Sequence, residues 1–245
     1  MKPFGLLLAL IISVAAFAAR AETVILHTGR IPPYTIEAKD GRGQGMMIEI
    51  VTQALDAAGI TYRLEDQTAW PRAQAIAVDE PNSLITPFAR TAAREQNWTW
   101  ISILLDETLA IYAKTGASGP KTKDELLRID SLGVLTGSGP DSVSKELGLT
   151  PVTEPVPNEW QNAKKLARGR ISAWMSQGYM AVNGMRDAGL GGDQIQLQFI
   201  LRNLPLWVAT SKKTSPEMVQ RLSDAFTRFR ETSAYAEILK RYQVR

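Results

Sequence analysis

From Thr23 onward the chain repeats one pattern: a short apolar run of β type, a turn, then a stretch whose apolar residues recur every three or four positions. That order constrains the fold more than any other feature. Consecutive β runs separated by helices cannot join through hairpins, so they pair in parallel and bury their sheet under helices. The first series holds "TVILHTG" (23–29), then a helical stripe of Met47, Ile50, Val51, Ala54, Leu55 and Ala58 that closes with Gly59 at the C′ position. "ITYRLED" (60–66), a short helix from Pro71, "NSLITPF" (82–88) and a helix near Thr91 continue it. After "LAIYAK" (109–114), residues 116–120 form a breaker, and Thr122 to Glu125 reads as a capping box.

The second series contains "LGVLTG" (132–137), helices from about Pro140 and Asn158, "ISAWMSQ" (171–177), another helix, and "IQLQFIL" (195–201). "LPLWVATS" (204–211) then leads to a Ser215-Pro216 helix start, whose stripe Met218, Leu222, Ala225, Phe226 and Phe229 covers one face. The expectation is an α/β protein of two lobes, each a small, mainly parallel sheet flanked by helices. Residues 22–113 and 206–245 would form lobe 1, and 114–205 lobe 2, with crossings near 112–116 and 204–210.

Residues 1–21 read as a secretory signal: Lys2, an apolar stretch over 4–18, and the cleavage site Ala19-Arg20-Ala21. A membrane anchor needs roughly 20 continuous apolar residues, and Arg20 interrupts the run too early. Cleavage after Ala21 would deliver a soluble mature chain to the periplasm. Without Lys2 and Arg20, 26 basic residues face 25 acids, a net charge of +1. A near-neutral surface without a basic stripe does not suit nucleic acid. The chain has no cysteine, so neither disulfides nor thiol chemistry are available, and one histidine cannot build a histidine-rich metal cluster. No cofactor is implied, and a monomer is expected.

Ligands of open α/β sheets bind beyond the carboxyl ends of the strands. Four marked segments fall there: "RIPPYT" (30–35), "TPFART" (86–91), "TGSGP" (136–140) and "MSQGY" (175–179). In the first, Pro32-Pro33 stiffens the backbone and Tyr34 offers a ring and a hydroxyl, although the same residues would serve a rigid loop. In the third, Gly137, Ser138 and Gly139 permit close backbone approach and can present N–H groups to an anion, although many glycine turns only change direction. In "TPFARTAAREQ", Arg90 and Arg94 flank an expected N-cap, Thr91. A cation in a first helical turn faces the positive end of the dipole, costing several tenths of a kcal/mol unless an anion compensates. A guanidinium grips a carboxylate in a bidentate fork, which makes Arg94 the candidate anchor and Arg90 a second one. The alternative is a surface helix in which Glu95 pairs with them. Trp70 and Phe88 stand where they would wall a pocket or fill the core. Trp98 and Trp100 are expected to pack on a lobe surface, and Trp174 is a secondary cleft candidate.

Taken together, "IPPYT", "GQGMMIEIVTQALDAAGI", "TAAREQNWTW", "LGVLTGS" and "SAYAEILKRY" resemble the amino-acid-binding type of bacterial periplasmic (extracellular) solute-binding proteins, family 3, in a divergent branch. The resemblance implies a two-lobed cleft in which Arg94 holds a ligand carboxylate, assisted by Thr91, Gly137 and Ser138. It also implies a small polar or anionic solute and an ABC permease or a sensor protein as membrane partner. Members that bind α-amino acids commonly place acids where this chain has Thr28 and Gln177, so the ammonium partner of such a ligand is missing. The rival function is a periplasmic lyase resembling cyclohexadienyl dehydratase. Against it, Gln177 cannot titrate, His27 lies inside a strand, and no G-x-S-x-G elbow or nucleophilic cysteine occurs. No catalytic residue and no metal site are therefore assigned.

Overall fold

A computed structural model of the chain describes residues 22–37 and 43–242. The expected signal segment lies outside them. The first series folds as β1 (Val24–Gly29), a small hairpin of β2 (Ile36–Glu37) and β3 (Gly43–Gln44), α1 (Met46–Ala57), β4 (Tyr62–Thr68), α2 (Trp70–Ala77), β5 (Ser83–Ala89), α3 (Ala92–Glu95) and β6 (Trp98–Leu105). The second gives β7 (Thr108–Lys114), α4 (Lys123–Leu126), β8 (Leu132–Leu135), α5 (Gly139–Glu146), β9 (Thr153–Val156), α6 (Glu159–Ala167), β10 (Ala173–Gln177), α7 (Gly178–Asp187) and β11 (Ile195–Asn203). The chain then returns through β12 (Leu206–Ser211), α8 (Pro216–Arg230) and α9 (Ser233–Arg241).

The strands form two five-stranded sheets, ordered β4-β1-β5-β12-β6 and β11-β7-β10-β8-β9. Two lobes with flanking helices follow, as the alternation requires, and the pairing within each is mixed. In the first sheet β1 runs parallel to β4 and β5, whereas β12 is antiparallel to β5 and β6. In the second, β8 is parallel to β9 and β10, and β7 is antiparallel to β10 and β11. The antiparallel joints all involve strands beside the crossings, where the chain changes lobes instead of passing over a helix.

One expected boundary moves. Strand β7, assigned from sequence to the end of lobe 1, belongs to the second sheet, so the first crossing falls at Asp106–Glu107 instead of 112–116. The physical reason is that residues 109–113 are buried throughout; a strand covered on both faces suits either sheet. The second crossing is Leu204–Pro205.

Local signals behave as their chemistry demands. Gly59 ends α1 with φ of +63°, a left-handed conformation that glycine adopts without strain. The exception in the α1 stripe is Ala58, which caps the helix and is exposed. Thr122 accepts from the Glu125 amide at 3.2 Å, while the Glu125 carboxylate reaches back to the Lys121 amide. Ser215 caps α8 through the Met218 amide, and all five stripe residues of that helix are buried. His27 is buried in β1 and contacts Glu80 at 2.5 Å.

Candidate functional site

Segments from both lobes meet in a cleft. Ile31, Tyr34, Trp70, Pro87, Ala89 and Arg94 face it from the first lobe, Ser138, Gly139, Gln177 and Met180 from the second, and Leu206 from the returning strand. All four junctions singled out in the sequence contribute. The lobes stand so close that about 10 Å³ remains free between these side chains, roughly the room one water needs.

Arg94 is the charged residue of this cleft. It is 9 % exposed, and its guanidinium lies 4.3 Å from the centre of the Phe88 ring. Its nitrogens donate to the Ala89 carbonyl at 2.9 Å, to Gln74 Oε1 at 3.1 Å and, across the cleft, to the Gly137 carbonyl at 2.7 Å. Among the described residues no carboxylate comes within ion-pair distance of it. Burial pushes its pKa down to about 10, against a partial upward pull from Asp141 and Glu146, so it remains charged at neutral pH. The dipole argument does not apply, because α3 is a single turn.

Gly137 is the counterpart on the second lobe. Its φ of +68° turns the chain from β8 into α5, and its carbonyl also accepts from Gln74 Nε2 at 3.0 Å. The turn was expected to offer N–H groups to a bound anion. Here the Gly137 amide donates to Asp141 Oδ2 at 2.8 Å, so the protein's own carboxylate takes that place. Ser138 caps α5 by accepting from the Asp141 amide. Gly139 packs so tightly that a Cβ there would lie 2.6 Å from the Ala89 Cβ in the opposite lobe.

The remaining candidates divide. Trp70 opens α2 and lines the cleft, edge-on to Phe88 at 5.8 Å. Phe88 itself is fully buried beneath Arg94 and serves as its platform. Thr91 is the N-cap residue of α3, yet its hydroxyl caps nothing; it accepts from Ser142 Oγ of the second lobe at 2.9 Å. Gln177 ends β10 and donates to the Leu204 carbonyl at 2.9 Å. Tyr34 is fully buried and donates to the Glu107 carboxylate; burial first, then the Glu107 charge, raises its pKa well above 10. Arg90 does not reach the cleft. It is exposed, pairs with Glu95 and lies over the rings of Trp100 and Trp207, because the end of β5 directs it to the other side of the lobe. Trp98 is buried against Phe88 instead of lying on a surface. Trp174 is buried inside the second lobe, where it donates to Glu159.

Sequence reading missed Gln74, Glu107 and Asp141. Gln74 lies in "WPRAQ", one turn after Trp70, a spacing that puts both on one helix face. The other two carry no local mark.

The model of the bacterial extracellular solute-binding proteins, family 3, matches residues 24–245. No curated protein sequence matches the chain. Among solved structures, a histidine kinase sensor domain with similarity to periplasmic binding proteins superposes with a TM-score of 0.81 at 15 % identity, covering 92 % of this chain and 98 % of that one. The arginine-, lysine-, histidine-binding protein ArtJ from Geobacillus stearothermophilus gives 0.74 at 18 % identity, over 90 % and 95 %. A putative ABC-transporter binding component from Wolinella succinogenes, complexed with lysine, gives 0.74 at 19 % identity, over 92 % and 97 %. Such identities speak for the fold alone, while the family match spans nearly the whole chain from β1 onward: the protein belongs to the bacterial extracellular solute-binding proteins, family 3.

Proposed function

We propose that the protein is a periplasmic binding protein that captures a small, carboxylate-bearing organic solute between its lobes, for delivery to an ABC importer. One observation carries the reading. Arg94 is a buried, charged guanidinium in the cleft that only neutral oxygens meet directly, and an unpaired buried charge is costly unless an anion joins it. Opening the lobes frees the donor now spent on Gly137, and closing on a carboxylate replaces a neutral acceptor with a charged one, the stronger partner. The apolar walls, Ile31, Trp70, Pro87, Met180 and Leu206, suit an organic body attached to that carboxylate.

The cleft favours capture over catalysis. Its titratable lining groups are Tyr34, raised well above 10, and Arg94, at about 10. Neither is poised near neutral pH to act as general base. A sensory role rests on the likeness to the histidine kinase sensor domain, and it would use the same ligand-driven closure.

A thermal-shift panel of organic acids and amino acids tests the reading. A solute present at about 100 times its Kd adds ~2.7 kcal/mol of stability. That predicts a rise of roughly 5–10 °C for a chain of this size. Native mass spectrometry of freshly purified protein identifies a carried-over solute directly. If no carboxylate-bearing solute shifts the transition or co-purifies, the proposal fails.

A further inference from the structure

A further cavity lies beside the two crossings, lined by other residues than the cleft. It encloses about 540 Å³ and is bordered by Asp106, Glu107, Tyr112, Tyr179 and Asn203, with Val182 at its rim. That volume lies within the range of small-molecule sites. No lysine, arginine or histidine lines it, whereas two consecutive residues bring carboxylates.

Two observations lift it above an acidic surface patch. First, Glu107 is 7 % exposed and held in place: it accepts the Tyr34 hydroxyl, the Thr108 amide at 3.1 Å and the Tyr179 amide at 3.3 Å. With the Gly178 amide as a further donor, the carboxylate is fixed in one orientation at the cavity wall. Second, Tyr112 is 8 % exposed and stands in a strand paired on both sides, so it borders the cavity with its side chain. Among the described residues its hydroxyl meets no hydrogen-bond partner, and its ring lies 5.5 Å from that of Trp174. The side chain is buried, yet its hydroxyl, with no partner among the described residues, stays open to the cavity.

From this geometry we infer that the hinge cavity is a binding site for a small organic ammonium ion. Asp106 and Glu107 supply opposite charge, Tyr112 a hydroxyl acceptor, and the tyrosine rings negative faces of the kind that attract organic cations. The described residues hold no group of three or more side chains suited to a metal ion, and two carboxylates beside aromatic rings fit an alkylammonium better than a bare divalent cation. The site touches both crossings, and Glu107 joins it to Tyr34 of the cleft, so its occupant bears on lobe movement. It does not depend on what the cleft binds.

Isothermal titration of the purified protein with choline and with putrescine tests the inference, alongside Asp106→Asn, Tyr112→Phe and Glu107→Gln. Asp106 and Tyr112 do not line the cleft, and Glu107→Gln keeps an oxygen for Tyr34. Circular dichroism checks that each variant is folded. The expected result is saturable binding of at least one probe, weakened about tenfold in the Asp106→Asn, Glu107→Gln double variant and measurably in Tyr112→Phe. Absence of binding by both probes at tens of millimolar overturns the inference, and so does binding that these substitutions leave unchanged.

Discussion

Gly139→Ala separates lobe closure from lobe folding. Gly139 opens α5 with ordinary negative φ, so alanine meets no backbone strain there and is a better helix residue than glycine. The added methyl would stand 2.6 Å from the Ala89 Cβ and 3.2 Å from Leu204 Cδ2. Carbon atoms rest about 3.5–4.0 Å apart, so the overlap with Ala89 is roughly 1 Å. The Ala89 methyl has no rotamer to change, and its backbone is fixed in β5 opposite Leu206. Only parting of the lobes relieves the clash. Overpacking of this kind costs about 1–3 kcal/mol, which lowers the closed-to-open ratio roughly 5- to 150-fold. The chain has no cysteine, so one introduced cysteine per lobe carries spin labels without background. Double electron–electron resonance should show a longer interlobe distance in the ligand-free variant, while its melting temperature changes little. Wild-type distances in the variant would refute the close-packed interface described here.

Arg94→Ala should weaken ligand binding by about 2 kcal/mol or more, the loss expected when a buried charged hydrogen bond loses one partner; titration of the identified ligand measures it. Arg90→Ala should leave that affinity unchanged, since its exposed pair with Glu95 contributes at most about 1 kcal/mol to stability. Glu159 is buried among the side chains of Asn162, Trp174 and Ser176, and burial raises its pKa above the ordinary 4.5 despite their hydrogen bonds. Because its folded pKa is raised, the stability it contributes is full below about 4.5 and is lost as pH climbs through the raised value. Wild type should therefore lose melting temperature relative to Glu159→Gln over that interval; parallel melting curves against pH would contradict the burial argument.

The architecture was legible because alternation of period-2 and period-3.6 segments is a local property, and the terminators, Gly59, Thr122 and Ser215, act on neighbouring residues. The lobe membership of β7 was not, since a strand buried on both faces carries no sign of which sheet it joins. Arg94 and Arg90 are four residues apart and of the same chemistry, so sequence ranked them without separating them; tertiary packing places one over Phe88 in the cleft and the other over Trp100 and Trp207. Gln74 bonds a carbonyl 63 positions away, and Glu107 a hydroxyl 73 positions away. Contacts of that span depend on how two lobes face each other, and no local pattern encodes them.

Strand β12 lies between β5 and β6 in the first sheet, although more than a hundred residues separate it from β5 along the chain. A nascent chain that has delivered only its first half thus holds two strands with a gap where their shared neighbour belongs, edges that invite the wrong pairing. Completion of the earliest-emerging half waits on nearly the last segment to arrive. A truncation at the second crossing would therefore do more than trim a terminus: it would leave the older lobe without an interior strand, and such fragments should be aggregation-prone instead of merely shortened.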